Sequence, residues 1–374
     1  MYVPSLPYIT NYFHTNPTNV KLTISIYFLS FAIMPLIYGP LSDRYGRRGI
    51  VLLGMILFFG GSIVCAFSFS VNELTLGRFC QGAGTGAIVS LNRSIARDVF
   101  SGRRLSQIAS YISMVFGIMP AIAPIAGSYF QGYFGWRSVF IFMVVYSIVA
   151  FLIIWLFLPE TNKALNIHAI EFMQVVKIYG LLFSNRIFMS NTIAMSAAIS
   201  GILAYYTITP FLFQNVLHVD AVQYGWLTVL IAAGLLVGKG LNILLMRKHS
   251  PGLVLVQGNV VMFISALLML LLGLIGIRTI AATVAPMIIF VIGTGLVISN
   301  SFTGAIMPFK KIAGSAGSLY SFLQTIAIFV ITYIAAHLES HSQLPLATLL
   351  TALSGAALFD YAVMLRSNPV DIYE

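Results

Sequence analysis

Residues 39–48 read Gly-Pro-Leu-Ser-Asp-Arg-Tyr-Gly-Arg-Arg, and we call them the charged turn. They separate two apolar runs, residues 22–42 and 49–69, each long enough to cross a bilayer, which takes about 20 apolar residues at helical rise. The charged turn therefore predicts a tight hairpin at a membrane surface. We expect its glycines to let helices approach closely, Asp43 to cap a helix start, and its arginines to contact lipid headgroups or helix C-termini.

The composition of the chain is that of a polytopic helical membrane protein. Of 374 residues, 59% are hydrophobic and 8% are charged, whereas soluble domains carry roughly 25% charged residues. Apolar runs this long exclude a transmembrane barrel, whose strands have about ten residues of alternating polarity. The sequence has no phosphate-binding Gly-Lys-Ser/Thr loop, no His-Glu-x-x-His and no nucleophile elbow, which predicts neither an enzyme nor a bound cofactor. Cys65 and Cys80 fall in apolar spans, so neither a disulfide nor a zinc site is expected.

The hydropathy pattern predicts an all-α membrane protein with eleven complete spans preceded by a short stub. The predicted spans are 22–42, 49–69, 73–96, 105–129, 138–158, 188–213, 222–246, 253–276, 280–305, 314–337 and 344–366. None of the Asp and Glu residues lies deep in a span, although proton-driven transporters usually need an intramembrane acid. Residues 159–187 form the longest hydrophilic connection, and their apolar spacing predicts an interfacial amphipathic helix.

Basic residues are concentrated on the side of the membrane that carries the charged turn. Only Lys21, Arg137 and Arg278 lie on the other side. By the positive-inside rule the charged turn is cytoplasmic, so the net charge of +10 is a topology signal and does not indicate nucleic-acid binding. The basic residues on the charged-turn side are fourteen of the twenty: Arg44, Arg47, Arg48, Arg97, Arg103, Arg104, Lys163, Lys177, Arg186, Arg247, Lys248, Lys310, Lys311 and Arg366.

The charged turn, written Gly-x-Leu-x-Asp-Arg-x-Gly-Arg-Arg, resembles the signature loop between helices 2 and 3 of the major facilitator superfamily of transporters. An ordinary positive-inside loop is the alternative, and it accounts for the arginines but not for the fixed Gly, Asp and Gly. The resemblance implies a major facilitator fold of two pseudo-symmetric six-helix bundles, 1–158 and 188–374, joined by a cytoplasmic linker, 159–187. It also implies a cytoplasmic gate formed by Gly39, Asp43, Arg44, Gly46, Arg47 and Arg48, with Asp98 pairing with Arg44 or Arg47.

The start of the chain, Met-Tyr-Val-Pro-Ser-Leu-Pro, resembles the outer end of helix 1 in Bcr/CflA-type drug-resistance transporters. In that family an acidic residue usually precedes this run, and we expect the chain to lack most of helix 1. The alternative is that Met1 is the true start and that this short segment only fills the outer end of the bundle. Arg78-Phe79-Cys80-Gln81-Gly82 resembles the helix 4 motif Arg-x-x-Gln-Gly, whose arginine takes part in proton coupling next to helix 1. The implied coupling residues are Arg78, Gln81 and Tyr2. The alternative for Arg78 is an arginine whose head snorkels to the outer interface.

Residues 117–127 resemble the helix 5 motif of the superfamily's antiporters and exporters, in its Bcr/CflA form Pro-x-x-Ala-Pro-x-x-Gly. The implied motif residues are Gly117, Pro120, Pro124 and Gly127. Two prolines four residues apart bend a helix, so a structural kink without any meaning for transport direction is the alternative.

Weak internal repetition supports two duplicated halves. A shift of 199 residues places Gly39, Asp43 and Arg48 on Gly238, Asn242 and Arg247. A shift of 209 places Gly84-Thr85-Gly86 with Ser90 on Gly293-Thr294-Gly295 with Ser299. In the second half, Asn191, Tyr205 and Tyr206 are candidates for lining a substrate cavity, together with Pro4 in the first half.

The resemblance implies proton-coupled export of small organic molecules such as antibiotics, by alternating access, from the inner membrane of a bacterium. The expected partners are a small-molecule substrate, protons and the lipid bilayer, with the proton gradient as energy source and the protein acting as a monomer. Two alternatives share these motifs. One is an exporter of a single endogenous metabolite, for example a siderophore, and the other is a non-transporting truncated remnant.

Overall fold

The computed structural model describes residues 1–162 and 172–367. In these ranges the chain is helical, and eleven helices of 20 or more residues match the predicted spans one to one, with ends shifted by a few residues. They are α2 (Pro17–Tyr45), α3 (Arg47–Ala66), α4 (Val71–Val99), α5 (Gly102–Phe134), α6 (Trp136–Phe157), α8 (Arg186–Phe211), α9 (Ala221–Leu245), α10 (Pro251–Leu274), α11 (Ile280–Ile306), α12 (Ala313–His337) and α13 (Leu344–Ser367). The predicted all-α membrane fold is confirmed.

Nine helices in the described part of the chain are both long enough and apolar enough to cross a membrane. The two long helices outside this set are α4 and α5, of 29 and 33 residues. The polar side chains of Arg78 and Gln81 lie inside α4, so its composition is less apolar although its length suffices to span. The described residues also form two short α-helices, α1 (Leu6–Tyr12), which follows a 3-10 turn at Val3–Ser5, and α7 (Phe172–Ser184). A π-helical segment (Leu212–Val216) follows α8, and a 3-10 segment (Met307–Ile312) follows α11.

The helices form two compact units, Met1–Phe172 and Met173–Glu374. The division falls inside the predicted linker, 159–187. An amphipathic helix is predicted in this linker. The structure has α7 in its second part, and residues 163–171 lie outside the described part. In the first unit α4 packs against both α2 and α3, and in the second α11 packs against both α9 and α10.

Glycines bring the central helices of each unit into backbone contact. A Cβ atom on Gly84 of α4 would overlap the carbonyl oxygen of Gly54 on α3. In the second unit, a Cβ on Gly293 of α11 would lie 2.7 Å from the carbonyl oxygen of Gly258 on α10. Small residues let membrane helices approach closely. Since Gly84 and Gly293 are the positions matched by the predicted repeat, the two units use the same contact at the same place.

Candidate functional site

Arg78 is buried inside the first unit between two aromatic rings. Its guanidinium carbon lies 4.4 Å from the ring centre of Tyr2 and 4.3 Å from that of Tyr27, and the residue is only 7% exposed. Stacking of a desolvated guanidinium on an aromatic ring contributes about 1 to 2 kcal/mol. Because the side chain is enclosed by Tyr2 and Tyr27, it does not reach out to the interface as the snorkelling alternative requires.

A hydrogen-bonded chain continues from Arg78 into the neighbouring helix. Nη1 of Arg78 donates to Oε1 of Gln81 over 2.6 Å, and Nε2 of Gln81 donates to Oγ of Ser62 on α3 over 2.8 Å. The hydroxyls of Tyr2 and Thr23 are 2.9 Å apart. The structure therefore brings together all three residues of the predicted coupling set, Tyr2, Arg78 and Gln81.

Three residues that contact Tyr2, Arg78 or Gln81 were not predicted from the sequence: Thr23, Tyr27 and Ser62. Tyr27 and Thr23 lie four residues apart on one face of α2, and Ser62 lies on α3, where it accepts the hydrogen bond from Gln81. No motif marks them, and only their helical spacing gives a signal. Nε of Arg78 is buried and makes no hydrogen bond within the described residues. A fixed cation in a site of low dielectric favours the charged form of any acid that approaches it.

The predicted antiporter motif lies on α5, which runs as one helix through Pro120 and Pro124. Gly117 and Gly127 are buried. A Cβ on Gly127 would overlap the backbone of Met1, so this glycine is where the start of the chain packs against α5. The motif thus borders the residue that precedes Tyr2.

The charged turn is organised by Arg47. Its guanidinium pairs with Asp43 on α2 at 2.5 Å and with Asp98 on α4 at 3.2 Å. Asp98 therefore pairs with Arg47, whereas Arg44 lies over the ring of Tyr45 at 5.2 Å. These contacts tie the ends of α2 and α4 to the start of α3.

The expectation that Asp43 caps a helix start is wrong. Asp43 lies in the last turn of α2. The carboxylate of Glu160, just beyond α6, accepts hydrogen bonds from the first two backbone N–H groups of α3. Arg48 satisfies a helix C-terminus, as predicted, since its Nη2 donates to the carbonyl of Trp155 in α6 over 2.7 Å. Glu160 was not among the predicted site residues because the sequence separation from Arg47 gives no sign of the contact.

Two of the predicted cavity residues of the second unit, Asn191 and Tyr205, are packed into its interior, and the third, Tyr206, is half-buried. Asn191 and Tyr205 are 0% exposed, and Nδ2 of Asn191 donates to the carbonyl of Ile187 over 2.8 Å. The ring of Tyr205 contacts those of Tyr206 and Phe213, at 5.7 and 6.4 Å. Pro4 is buried in the first unit, in the 3-10 turn. A role of these residues in substrate binding stays a prediction.

In the second unit, the position that the repeat matches to Asp43 carries a neutral side chain in place of a carboxylate. Asn242, which the repeat matches to Asp43, accepts a hydrogen bond from Nδ2 of Asn300 on α11 over 2.6 Å. Nδ2 of Asn300 also donates to the carbonyl of Leu296 over 2.8 Å. Across residues 1–162 and 172–367, no cluster of three His, Cys, Asp or Glu side chains is placed to bind a metal ion.

The chain resembles transporters throughout its length. A bicyclomycin resistance protein homologue of Haemophilus influenzae is 28% identical over 322 residues, covering 85% of this chain and 80% of its own. Multidrug resistance protein D of Escherichia coli is 25% identical over 351 residues, covering 94% and 88%. The fold is that of a peptide transporter in complex with alafosfalin (TM-score 0.77, 15% identity, 98% and 90% covered) and of the inward-open E. coli xylose transporter XylE (0.73, 14%, 96% and 91%).

The family model described as Major Facilitator Superfamily matches residues 1–332. This match covers most of the chain and includes the charged turn, the Arg78 site and the glycine contacts of both units. The protein is therefore a multi-pass membrane transporter and not an enzyme, and it belongs to the major facilitator superfamily, with relatives of the Bcr/CflA drug-resistance type.

Proposed function

We propose that this protein exports small organic molecules, including antibiotics, in exchange for protons across the inner membrane of a bacterium. The observation that carries the proposal is the buried Arg78 guanidinium, held between Tyr2 and Tyr27 and bonded to Gln81. A cation in a membrane span is costly, and such residues mark ion pathways and proton relays. The names of the relatives, which refer to bicyclomycin, chloramphenicol and multidrug resistance, support drugs as substrates.

In this proposal each described element has its own part. Arg78 supplies the fixed positive charge of the coupling site, which would favour the deprotonated form of an acid that comes next to it during transport. The ion pairs of Arg47 hold the charged turn as a cytoplasmic gate in a monomeric transporter. Substrate exchange follows from alternating access, and the proton gradient is the only energy source.

The test uses purified protein in liposomes that contain a pH-sensitive dye. We expect chloramphenicol or bicyclomycin, added on the side from which they are taken up, to move protons in the opposite direction, and an imposed proton gradient to concentrate the drug. Empty liposomes and liposomes treated with a proton ionophore are the controls. If drugs move no protons but a culture extract from the native host does, the substrate is an endogenous metabolite. If neither has an effect, the transport proposal fails.

A further inference from the structure

The carboxylate of Glu160 occupies the N-terminus of α3, a helix that begins 113 residues earlier in the chain. Oε1 accepts the backbone N–H of Arg47 over 2.8 Å, and Oε2 accepts that of Arg48 over 3.1 Å. The first N–H groups of a helix have no partner within the helix and form its positive end, so a carboxylate there is favourable. Burial acts to raise the pKa of Glu160, but the backbone N–H groups of Asn162, Arg47 and Arg48 outweigh it and lower this pKa.

Gly46 is shaped to admit this carboxylate. Its φ is +94°, in the region that favours glycine. A Cβ at position 46 would also overlap Oε2 of Glu160. The second glycine of the charged turn is therefore required by Glu160 as well as by its own backbone.

The two residues after Glu160 extend the same contact. Oγ1 of Thr161 lies 3.4 Å from Oδ2 of Asp98 on α4, and Nδ2 of Asn162 donates to the backbone carbonyl of Asp43 on α2 over 3.3 Å. Residues 160–162, which we call the clasp, thus reach the ends of three helices, α2, α3 and α4.

The opposite end of α3 is held by the same neighbour. Arg137, in the first turn of α6, donates from Nε to the carbonyl of Ala66 over 3.2 Å and from Nη2 to that of Ser68 over 2.8 Å. An anion at the N-terminus and a cation at the C-terminus both complement the dipole of α3. The two ends of α6 therefore fix α3 along its length.

We propose that Glu160 is a positioning residue for transport: it fixes the charged turn to α6, so that the ion pairs of Arg47 with Asp43 and Asp98 keep one geometry while the first unit moves. This inference rests on the proposed function. Asp98 is 20 residues from Arg78 on α4, about 30 Å at helical rise, so the clasp does not touch a substrate held near Arg78. Loss of the clasp is thus expected to change the rate of the conformational step and to leave substrate affinity alone.

The test compares Glu160→Gln with Glu73→Gln in liposomes. Glu73 is a matched control because its carboxylate also accepts a backbone N–H, that of Phe69 over 2.8 Å, but only within the start of α4. We expect Glu160→Gln to lower the maximal transport rate about tenfold per folded molecule with KM changed by less than about twofold, and Glu73→Gln to do neither. Glu160→Asp, which keeps the carboxylate, should recover part of the rate.

Two further readouts separate the possible failures. Hydrogen exchange at the amides of Arg47 and Arg48 should be slow in the wild type and faster in Glu160→Gln, whether or not transport is observed. Equal exchange in the two proteins overturns the clasp, and faster exchange with an unchanged maximal rate overturns its role in transport. A wild type that moves no substrate contradicts the proposed function, and the exchange result then decides on the clasp alone.

Discussion

Alanine at Gly61 tests whether the close contact between α3 and α4 supports the Arg78 site. A Cβ on Gly61 would lie 2.6 Å from the carbonyl oxygen of Gly77 and 2.8 Å from the backbone nitrogen of Gln81. Both contacts are with backbone, which cannot rotate away, so α4 has to move. Gly60, the preceding residue on the same helix, has nothing within 4 Å of its Cβ position and is the matched control.

The expected magnitude follows from two opposing terms. Replacing glycine by alanine inside a helix gains about 1 kcal/mol, and this gain applies equally to Gly60 and Gly61. Overpacking costs about 1 to 3 kcal/mol and applies only to Gly61. The difference between the two variants therefore isolates the clash, and we expect Gly61→Ala to be less stable than Gly60→Ala by about 1 to 3 kcal/mol.

The assay is thermal unfolding of both variants in the same detergent, followed by drug-driven proton movement in liposomes. A difference of 1 kcal/mol shifts Tm by about 2 to 4 °C in a domain of 150 to 250 residues, so Gly61→Ala should unfold about 2 to 12 °C below Gly60→Ala. Because Gln81 is one of the displaced groups, transport should fall in Gly61→Ala and remain in Gly60→Ala. Equal Tm values for the two variants would refute the packing argument, and a lower Tm with full transport would refute its link to the site.

Three further predictions concern the charged and polar contacts. Arg78→Ala should abolish drug-driven proton movement while the protein still inserts and folds, because the guanidinium held between Tyr2 and Tyr27 is lost. Proton movement at the wild-type rate in this variant would contradict the coupling role. Asn300→Ala should lower the free energy of unfolding by about 1 kcal/mol, because the hydrogen bond to Asn242 is lost. Neither side chain is charged, so the loss should be the same at low and high salt. Thermal unfolding at two ionic strengths would check this. The pKa of Glu160 is lower in the folded protein than its ordinary value of 4.5, so its stabilisation is complete above about pH 4.5 and is lost as the pH falls through the folded value. The drop in Tm between pH 6 and pH 3 should therefore be smaller in Glu160→Gln than in the wild type, and equal drops would count against the contact.

The sequence predicts the helices of this protein better than it predicts how they face each other. Hydropathy locates the spans because the bilayer requires a run of about 20 apolar residues whatever the fold. Arg78 and Gln81 are three residues apart on one helix, so their contact follows from helical geometry. The partner rings are different: Tyr2 was found through a family resemblance, and Tyr27 was not found at all. When a helix is apolar on nearly all sides, its sequence does not show how it is rotated about its own axis. Contacts between such helices therefore cannot be predicted from hydrophobic periodicity.

The same reasoning explains the errors at the charged turn. The local sequence suggests Asp43 as the capping residue, but the cap comes from Glu160. Four helices, α3 to α6, separate Glu160 from the charged turn in sequence, and only their packing brings the two together. The repeat predicted Asn242 as the counterpart of Asp43, and it did not reveal Asn300, because a repeat aligns positions and does not preserve charge. Local rules therefore located the turn, while its partners depended on the packing of the whole unit.

The glycine contacts shared by the two units also limit how this gene can change. Every single-nucleotide missense change of a glycine codon produces an amino acid with a Cβ atom. At Gly54 and Gly84, and again at Gly258 and Gly293, that atom would collide with the backbone of the facing helix. Missense mutations are therefore expected to accumulate elsewhere, and these four codons should vary only at synonymous positions.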